Sequence, residues 1–178
     1  MPRLFTALEV PAPIAFSLSL LRGGLPGARW VDPENYHVTL RFIGDIDNRT
    51  ADEVARALAR VDRPSFDLSL EGLDALGGRK PHSIAACVKA SPALRELQAE
   101  HERIAQRIGL EPERRKFRPH VTLARIRSAG QADAAAYLAL RGDFRTAPFS
   151  VGRFVLLSSR DSKGGGPYIM EEAYPLAA

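Results

Sequence analysis

An α+β fold of two similar lobes, each a mostly antiparallel sheet with helices outside and a central cleft between them, is what this sequence predicts. Three observations predict it. Segments reading strand, helix, strand, helix, strand occur twice in that order along the 178 residues. The tetrad His-Val-Thr-Leu stands in the middle strand of each half, at 37–40 and 120–123, 83 positions apart. The strand segments are short and alternate apolar with polar residues, as in sheets with one wet face, rather than running continuously apolar as in buried parallel sheets. The length suits one domain, 1–178, with repeat halves at about 3–80 and 83–176.

Local signals justify the elements in order. Residues 3–10 alternate as a strand, closed by Pro11 and Pro13, and 14–21 read as a short helix ending near Gly23 and Gly24. Residues 36–43 are the first motif strand. Thr50, with Glu53 three residues on, has the capping pattern of a helix start, and that helix is expected to run to Arg60. Residues 66–76 read as one strand and 83–89 as the next. Ser91 and Pro92 open the longest helix, and Gly109 stops it. Residues 118–126 are the second motif strand, 131–140 a helix, 147–157 a strand, and a final strand follows Pro167. At the 83-residue offset Phe66-Asp-Leu matches Phe149-Ser-Val, so the halves are expected to be related by an approximate two-fold, with the motif strands meeting at their boundary.

Composition narrows the function. A net charge of +4, carried mostly by arginine, suits an anionic ligand, because guanidinium groups grip phosphate in a bidentate fork. The single cysteine, Cys87, excludes an internal disulfide and a thiolate metal cluster; inside Ile84-Ala-Ala-Cys-Val88 it reads as a small buried hydrophobe. The N-terminal segment lacks the pattern of a secretory signal, and no apolar run approaches the roughly 20 residues that cross a bilayer. A cytoplasmic monomer without a membrane partner is the expectation.

The histidines carry the chemistry. With four histidines and five threonines, composition alone gives about 0.1 His-x-Thr pairs in such a chain, and two occur at matching places of a repeat. In a strand, residues i and i+2 share a face, so His37 points with Thr39 and His120 with Thr122, while Val38, Leu40, Phe42, Val121 and Leu123 anchor the other face. Two imidazoles around one cleft can hold one neutral and one protonated member near neutral pH, a base and an acid for attack on a cyclic phosphodiester. Threonine hydroxyls donate to the non-bridging oxygens. No metal is expected: His82, at a strand entry, and His101, on what reads as the solvated face of a helix, have no ligand spacing to the tetrads.

The tetrads, with Trp30-Val-Asp-Pro-Glu-Asn-Tyr before and Arg41-Phe-Ile-Gly-Asp after the first, resemble the two-histidine (2H) phosphoesterase superfamily. The likeness is to its RNA 2′,3′-cyclic phosphodiesterase branch, also called LigT-like or 2′-5′ RNA ligase. Arg3-Leu-Phe-Thr-Ala-Leu-Glu-Val-Pro resembles that family's first strand, Phe117-Arg-Pro-His-Val-Thr-Leu-Ala-Arg its second motif, and Gly166-Pro-Tyr-Ile with Tyr174-Pro-Leu its closing strand. The resemblance implies hydrolysis of a 2′,3′-cyclic phosphate at an RNA end, tRNA fragments included, to a 2′-phosphate without metal or other cofactor. It implies His37 as proton donor to the leaving 3′ oxygen, His120 as acceptor from water, and Thr39 and Thr122 holding the phosphate. It also admits the reverse joining of RNA ends by 2′-5′ linkage.

Arg125 matches a motif arginine and is a candidate phosphate clamp, although strand parity turns it away from His120 unless a bulge intervenes. Arg41 and Arg118 share the histidine faces by parity and are further candidates. The basic run Arg114-Arg-Lys-Phe-Arg118 reads either as a track for an RNA backbone with Phe117 stacking a base, or as a solvated loop with Phe117 in the core. Gly164-Gly-Gly-Pro-Tyr168 reads as a turn or a backbone phosphate cradle, with Tyr168 lining the cleft; Trp30 and Phe42 read as packing residues. Two other functions stay open: the same chemistry on another cyclic phosphate or a 2′-5′ oligonucleotide, and a non-catalytic RNA-end binding module. A serine hydrolase is excluded for want of a Gly-x-Ser-x-Gly elbow.

Overall fold

The structure, a computed structural model, describes residues 3–128, 130–159 and 166–178. In chain order it contains β1 (Arg3–Glu9), α1 (Ala12–Ser19), β2 (Ala28–Trp30), a 3-10 turn (Pro33–Asn35), β3 (His37–Asp45), α2 (Asn48–Leu58), β4 (Phe66–Leu68) and β5 (Leu70–Leu76). The second half follows with β6 (Ser83–Val88), α3 (Pro92–Ile108), β7 (His120–Ile126), α4 (Gln131–Arg141), β8 (Phe149–Val151), β9 (Arg153–Ser158) and β10 (Ile169–Pro175).

The expected α+β architecture with antiparallel strands is present, and its strands join into one continuous sheet. The order is β10-β9-β1-β3-β7-β6-β5, with β2 also on β7, and every pairing is antiparallel. Each end of the sheet draws on both halves of the sequence. β9 and β10, from the second half, extend from β1, whereas β5, from the first half, closes on β6. A separate two-stranded sheet pairs β4 with β8.

Two pairings lie on the axis of the repeat. Val38 faces Val121, and Asp67 faces Ser150. Both couples are 83 residues apart, the spacing of the tetrads, so each residue opposes its own equivalent. The expected strand 66–76 is therefore two strands: β4 leaves for the axis and β5 returns to the main sheet, broken at Ser69.

Alternation sorts the faces. On β1, Leu4 and Leu8 join the main core under the helices, while Phe5 and Ala7 form a smaller cluster with Val155 and Leu157 on the opposite face. Each fully buried Leu or Phe contributes about 1.5–3 kcal/mol, so the main core, which runs under both halves, holds the sheet as one body. α3 is capped as its sequence predicts: the Leu94 amide donates to Ser91 Oγ at 3.2 Å, and Gly109 ends it at φ 100°, a conformation glycine adopts without a Cβ clash. α2 starts earlier than expected. Its cap is Asp47, whose Oδ1 accepts from the Thr50 amide at 2.7 Å, so Thr50 lies inside the first turn. A carboxylate at that end also meets the positive pole of the helix.

His101 is not on a solvated face. It is 2% exposed, its Nδ1 is 2.8 Å from Thr6 Oγ1, and its ring meets Phe154 edge to face at 4.6 Å. No described helix is long and apolar enough to cross a membrane.

Candidate active site

β3 and β7 share a single ladder pair, Val38 opposite Val121. Extending that antiparallel register by one residue sets His37 across from Thr122 and Thr39 across from His120. Both valines are buried, and the four flanking residues are half-buried on the other face. The axis of the repeat thus brings both His-x-Thr pairs onto one face at the seam of the halves.

The two imidazoles are held alike. His37 Nδ1 lies 2.8 Å from the carbonyl of Asn35, and His120 Nδ1 lies 2.6 Å from the carbonyl of Arg118, two residues back in each case. A carbonyl only accepts, so each Nδ1 carries the hydrogen and each Nε2 is left for chemistry. The pairs differ at the other nitrogen: His37 Nε2 is 3.1 Å from Thr39 Oγ1, whereas His120 and Thr122 have no matching bond. Phe5 and Tyr168 pack on the His37 ring with centroids 5.1 Å away, the tyrosine edge-on.

Both histidines are pushed below the ordinary imidazole value of 6.5. For His37 burial is the main cause, the bond to Asn35 opposes it, and the charges of His120 and Arg125 add to the lowering. For His120 burial again leads, opposed by the Arg118 carbonyl, with Arg118, Arg125 and His82 adding to it. Each motif strand therefore delivers an imidazole that sheds its proton readily, in a place where cations accumulate.

Matching bulges decide which further residues join this face. Along β1 and β3, Ala7 pairs with Thr39 and Thr6 with Arg41, skipping Leu40; along β6 and β7, Ala85 pairs with Thr122 and Ile84 with Ala124, skipping Leu123. Leu40 and Leu123 are themselves 83 residues apart. Past each bulge the parity inverts. Arg125 consequently lies on the histidine face, in a hollow that it lines together with Tyr168, and its charge adds to the lowering of both histidines.

The same inversion removes Arg41 from the site. It lies 7% exposed on the helical side, paired with Glu102 and donating to the carbonyls of Phe42 and Glu111. In its place Phe42, read from parity as a core anchor, is 49% exposed on the histidine face, opposite Phe5. The trace of this in the sequence was Arg125, a motif arginine that strict parity turned away from His120.

Arg118 sits at the head of β7, exposed, donating to Asp74 Oδ2 at 3.0 Å while its carbonyl holds His120. Phe117 packs against the main core, and Arg114, Arg115 and Lys116 form the solvated loop. Tyr168 is placed against His37 by the Gly166–Tyr168 segment, which lies so close to Asn35 that a Cβ at Gly166 would collide with the asparagine side chain. The rest of the glycine run, 164 and 165, lies outside the described residues. Cys87 is half-buried and paired with His120 across β6 and β7; burial, with the charge of Asp74, pushes its thiol up, against Arg118, which leaves it a poor nucleophile. Among the described residues no group of three or more His, Cys, Asp or Glu is arranged to hold a metal ion.

Comparison with known proteins bears on this arrangement. The model of a family described as LigT-like phosphoesterase matches residues 8–85 and again residues 87–168, one match per half. An RNA 2′,3′-cyclic phosphodiesterase of Aeropyrum pernix is 37% identical over 122 residues, covering 67% of this chain and 69% of that protein. One of the same name from Thermotoga maritima is 30% identical over 174 residues, 93% of this chain and 91% of the other. Among solved structures, E. coli LigT complexed with 3′-AMP superposes over 100% of each chain with a TM-score of 0.81 at 25% identity.

Proposed function

The chain belongs to the LigT-like phosphoesterase family, and from that premise we propose that it hydrolyses RNA 2′,3′-cyclic phosphate ends to 2′-phosphates by acid–base catalysis between His37 and His120, without a metal. The observation that carries the reading is the shared anchoring of the two Nδ1 atoms, which leaves both Nε2 atoms for one phosphorus. His120, the more open of the pair, takes a proton from water through Nε2 as the water oxygen attacks phosphorus. The bond from phosphorus to the 3′ oxygen breaks, and His37 gives that oxygen the proton on its own Nε2. The sum is one water consumed, one 3′-hydroxyl and one 2′-phosphate formed, with the imidazoles exchanging protonation states.

Thr39, Thr122 and Arg125 meet the non-bridging oxygens, where charge develops during attack. Arg118 positions His120 through its carbonyl, and Tyr168 fixes the plane of the His37 ring. An anionic substrate opposes the lowering of the histidine that must arrive protonated, so binding itself readies the acid. When the 5′-hydroxyl of a second RNA end takes the place of water, the same steps yield a 2′-5′ linkage.

The deciding experiment is incubation with a nucleoside 2′,3′-cyclic phosphate in EDTA. A 2′-phosphate product that His37→Ala and His120→Ala variants of native stability no longer make supports the reading. Turnover that needs added metal, or that survives both substitutions, overturns the mechanism.

A further inference from the structure

Two hollows of equal size, about 550 Å³ each, open beside the histidine face, sharing Glu34, Asn35 and Tyr168 as the ridge between them. Their other walls differ in kind. One is built from side chains such as Val10, Phe16, Leu157 and Met170 and contains His37 and Glu9 but no arginine or lysine. The other holds Arg29 and Arg125.

These two arginines are direct partners in the β2–β7 ladder. Opposed side chains of an antiparallel pair leave one face with their Cβ atoms about 5 Å apart, and like charges so placed repel one another. Two guanidinium forks side by side in one hollow suit two phosphates in succession. Asp32, on the same wall, lies 3.7 Å from Arg22, and Glu34 borders both hollows.

We propose that Arg29 binds the phosphodiester on the 5′ side of the terminal nucleotide, so that the site selects the end of an RNA chain over a free cyclic mononucleotide. The inference rests on the cyclic phosphate lying between the histidines and Arg125, as proposed above. With that phosphate held at Arg125, the next phosphate of the strand reaches the cation one strand further out. The arginine-free hollow offers the next phosphate no guanidinium. The sugar–phosphate chain leaves through the Arg29 side.

The test compares a nucleoside 2′,3′-cyclic phosphate with a trinucleotide that has the same 3′-terminal cyclic nucleotide. Wild type is expected to favour the trinucleotide in kcat/KM by about tenfold, and Arg29→Gln to lose most of that preference through KM. The slope of log kcat/KM against log salt for the trinucleotide should fall by about 0.7 in Arg29→Gln, one phosphate contact on a single strand. Arg103→Gln, an exposed arginine on α3, keeps both values. A wild type without preference, or an Arg29→Gln variant that keeps it or loses both substrates alike, overturns the proposal. Fluorescence anisotropy with a labelled trinucleotide 2′-phosphate separates this failure from that of the catalytic reading. Weaker binding by Arg29→Gln without hydrolysis by wild type upholds Arg29 and refutes the phosphodiesterase; equal binding refutes Arg29 whatever the turnover.

Discussion

Phe42 and Arg125 hold equivalent places, each five residues after a tetrad histidine and each brought to the histidine face by a bulge one leucine earlier. One half of the repeat thus presents an aromatic ring where the other presents a cation. An exposed ring beside a phosphate site is a platform for a nucleobase, and stacking on one is worth about 1–3 kcal/mol. Phe42→Ala is expected to raise KM about tenfold for a cyclic nucleotide with little change in kcat, and Phe42→Tyr to keep wild-type values. Steady-state kinetics on both variants checks this, with unaltered thermal melting as the control that a half-exposed side chain carries little of the fold.

On the proposed reading Arg125 meets the substrate, and its charge also lowers both histidines. The proposed mechanism needs one histidine protonated and one neutral in the free enzyme, and both are pushed below the ordinary 6.5. kcat/KM is therefore expected to be falling already as pH rises towards 6.5, the pKa of an unperturbed imidazole. In Arg125→Gln the cation that favours the neutral imidazoles is gone, so both histidines hold protons to higher pH and the falling limb moves in that direction. The rate itself drops by roughly 100-fold with the loss of a donor to the phosphate. pH–rate profiles of the two proteins measure both effects.

His101 makes the fold sensitive to acid. Burial, with the charge of Arg63 adding, lowers it to about 3, whereas the unfolded chain titrates near 6.5. Between those values the unfolded state binds more protons, so the contribution of neutral His101 is complete above pH 6.5 and lost as pH falls towards 3. A His101→Gln variant, which keeps a polar side chain for Thr6, should show a flatter dependence of Tm on pH over that window, read by calorimetry.

Arg41 and Glu102 form an ion pair between β3 and α3 with both partners mostly out of water. Burial alone pushes the Glu102 carboxyl up, and the bonds from Arg41, Gln106 and the Glu113 amide outweigh it and leave it low. Arg41→Met is expected to cost about 3 kcal/mol in urea unfolding, because it strands the carboxylate, and Arg41→Met with Glu102→Gln to recover much of that.

The tetrads and most element boundaries were legible in the sequence because they follow strict periodicities. What was not legible follows from departures from them. Parity carried past Leu40 and Leu123 put Arg41 on the wrong face and left Arg125 in conflict with its motif; only the skipped residue resolves both. His101 looked solvated beside Glu100, Glu102 and Arg103, yet it falls on the stripe of Leu94, Leu97, Ile104 and Ala105 that faces the sheet. β2 is three residues long, too short to alternate, and its strand character comes from β7 alone. The break at Ser69 is set by a pairing across the axis that no local window contains.

The crossing of strands between the halves has one more result. Cut between β5 and β6, the chain becomes two pieces of which neither owns a finished edge: β1 lacks β9, and β6 lacks β5. Such fragments would regain the histidine seam only by docking on each other, as two subunits of a dimer exchange their arms. A gene encoding a single half would for the same reason specify a homodimer with one seam per pair of chains.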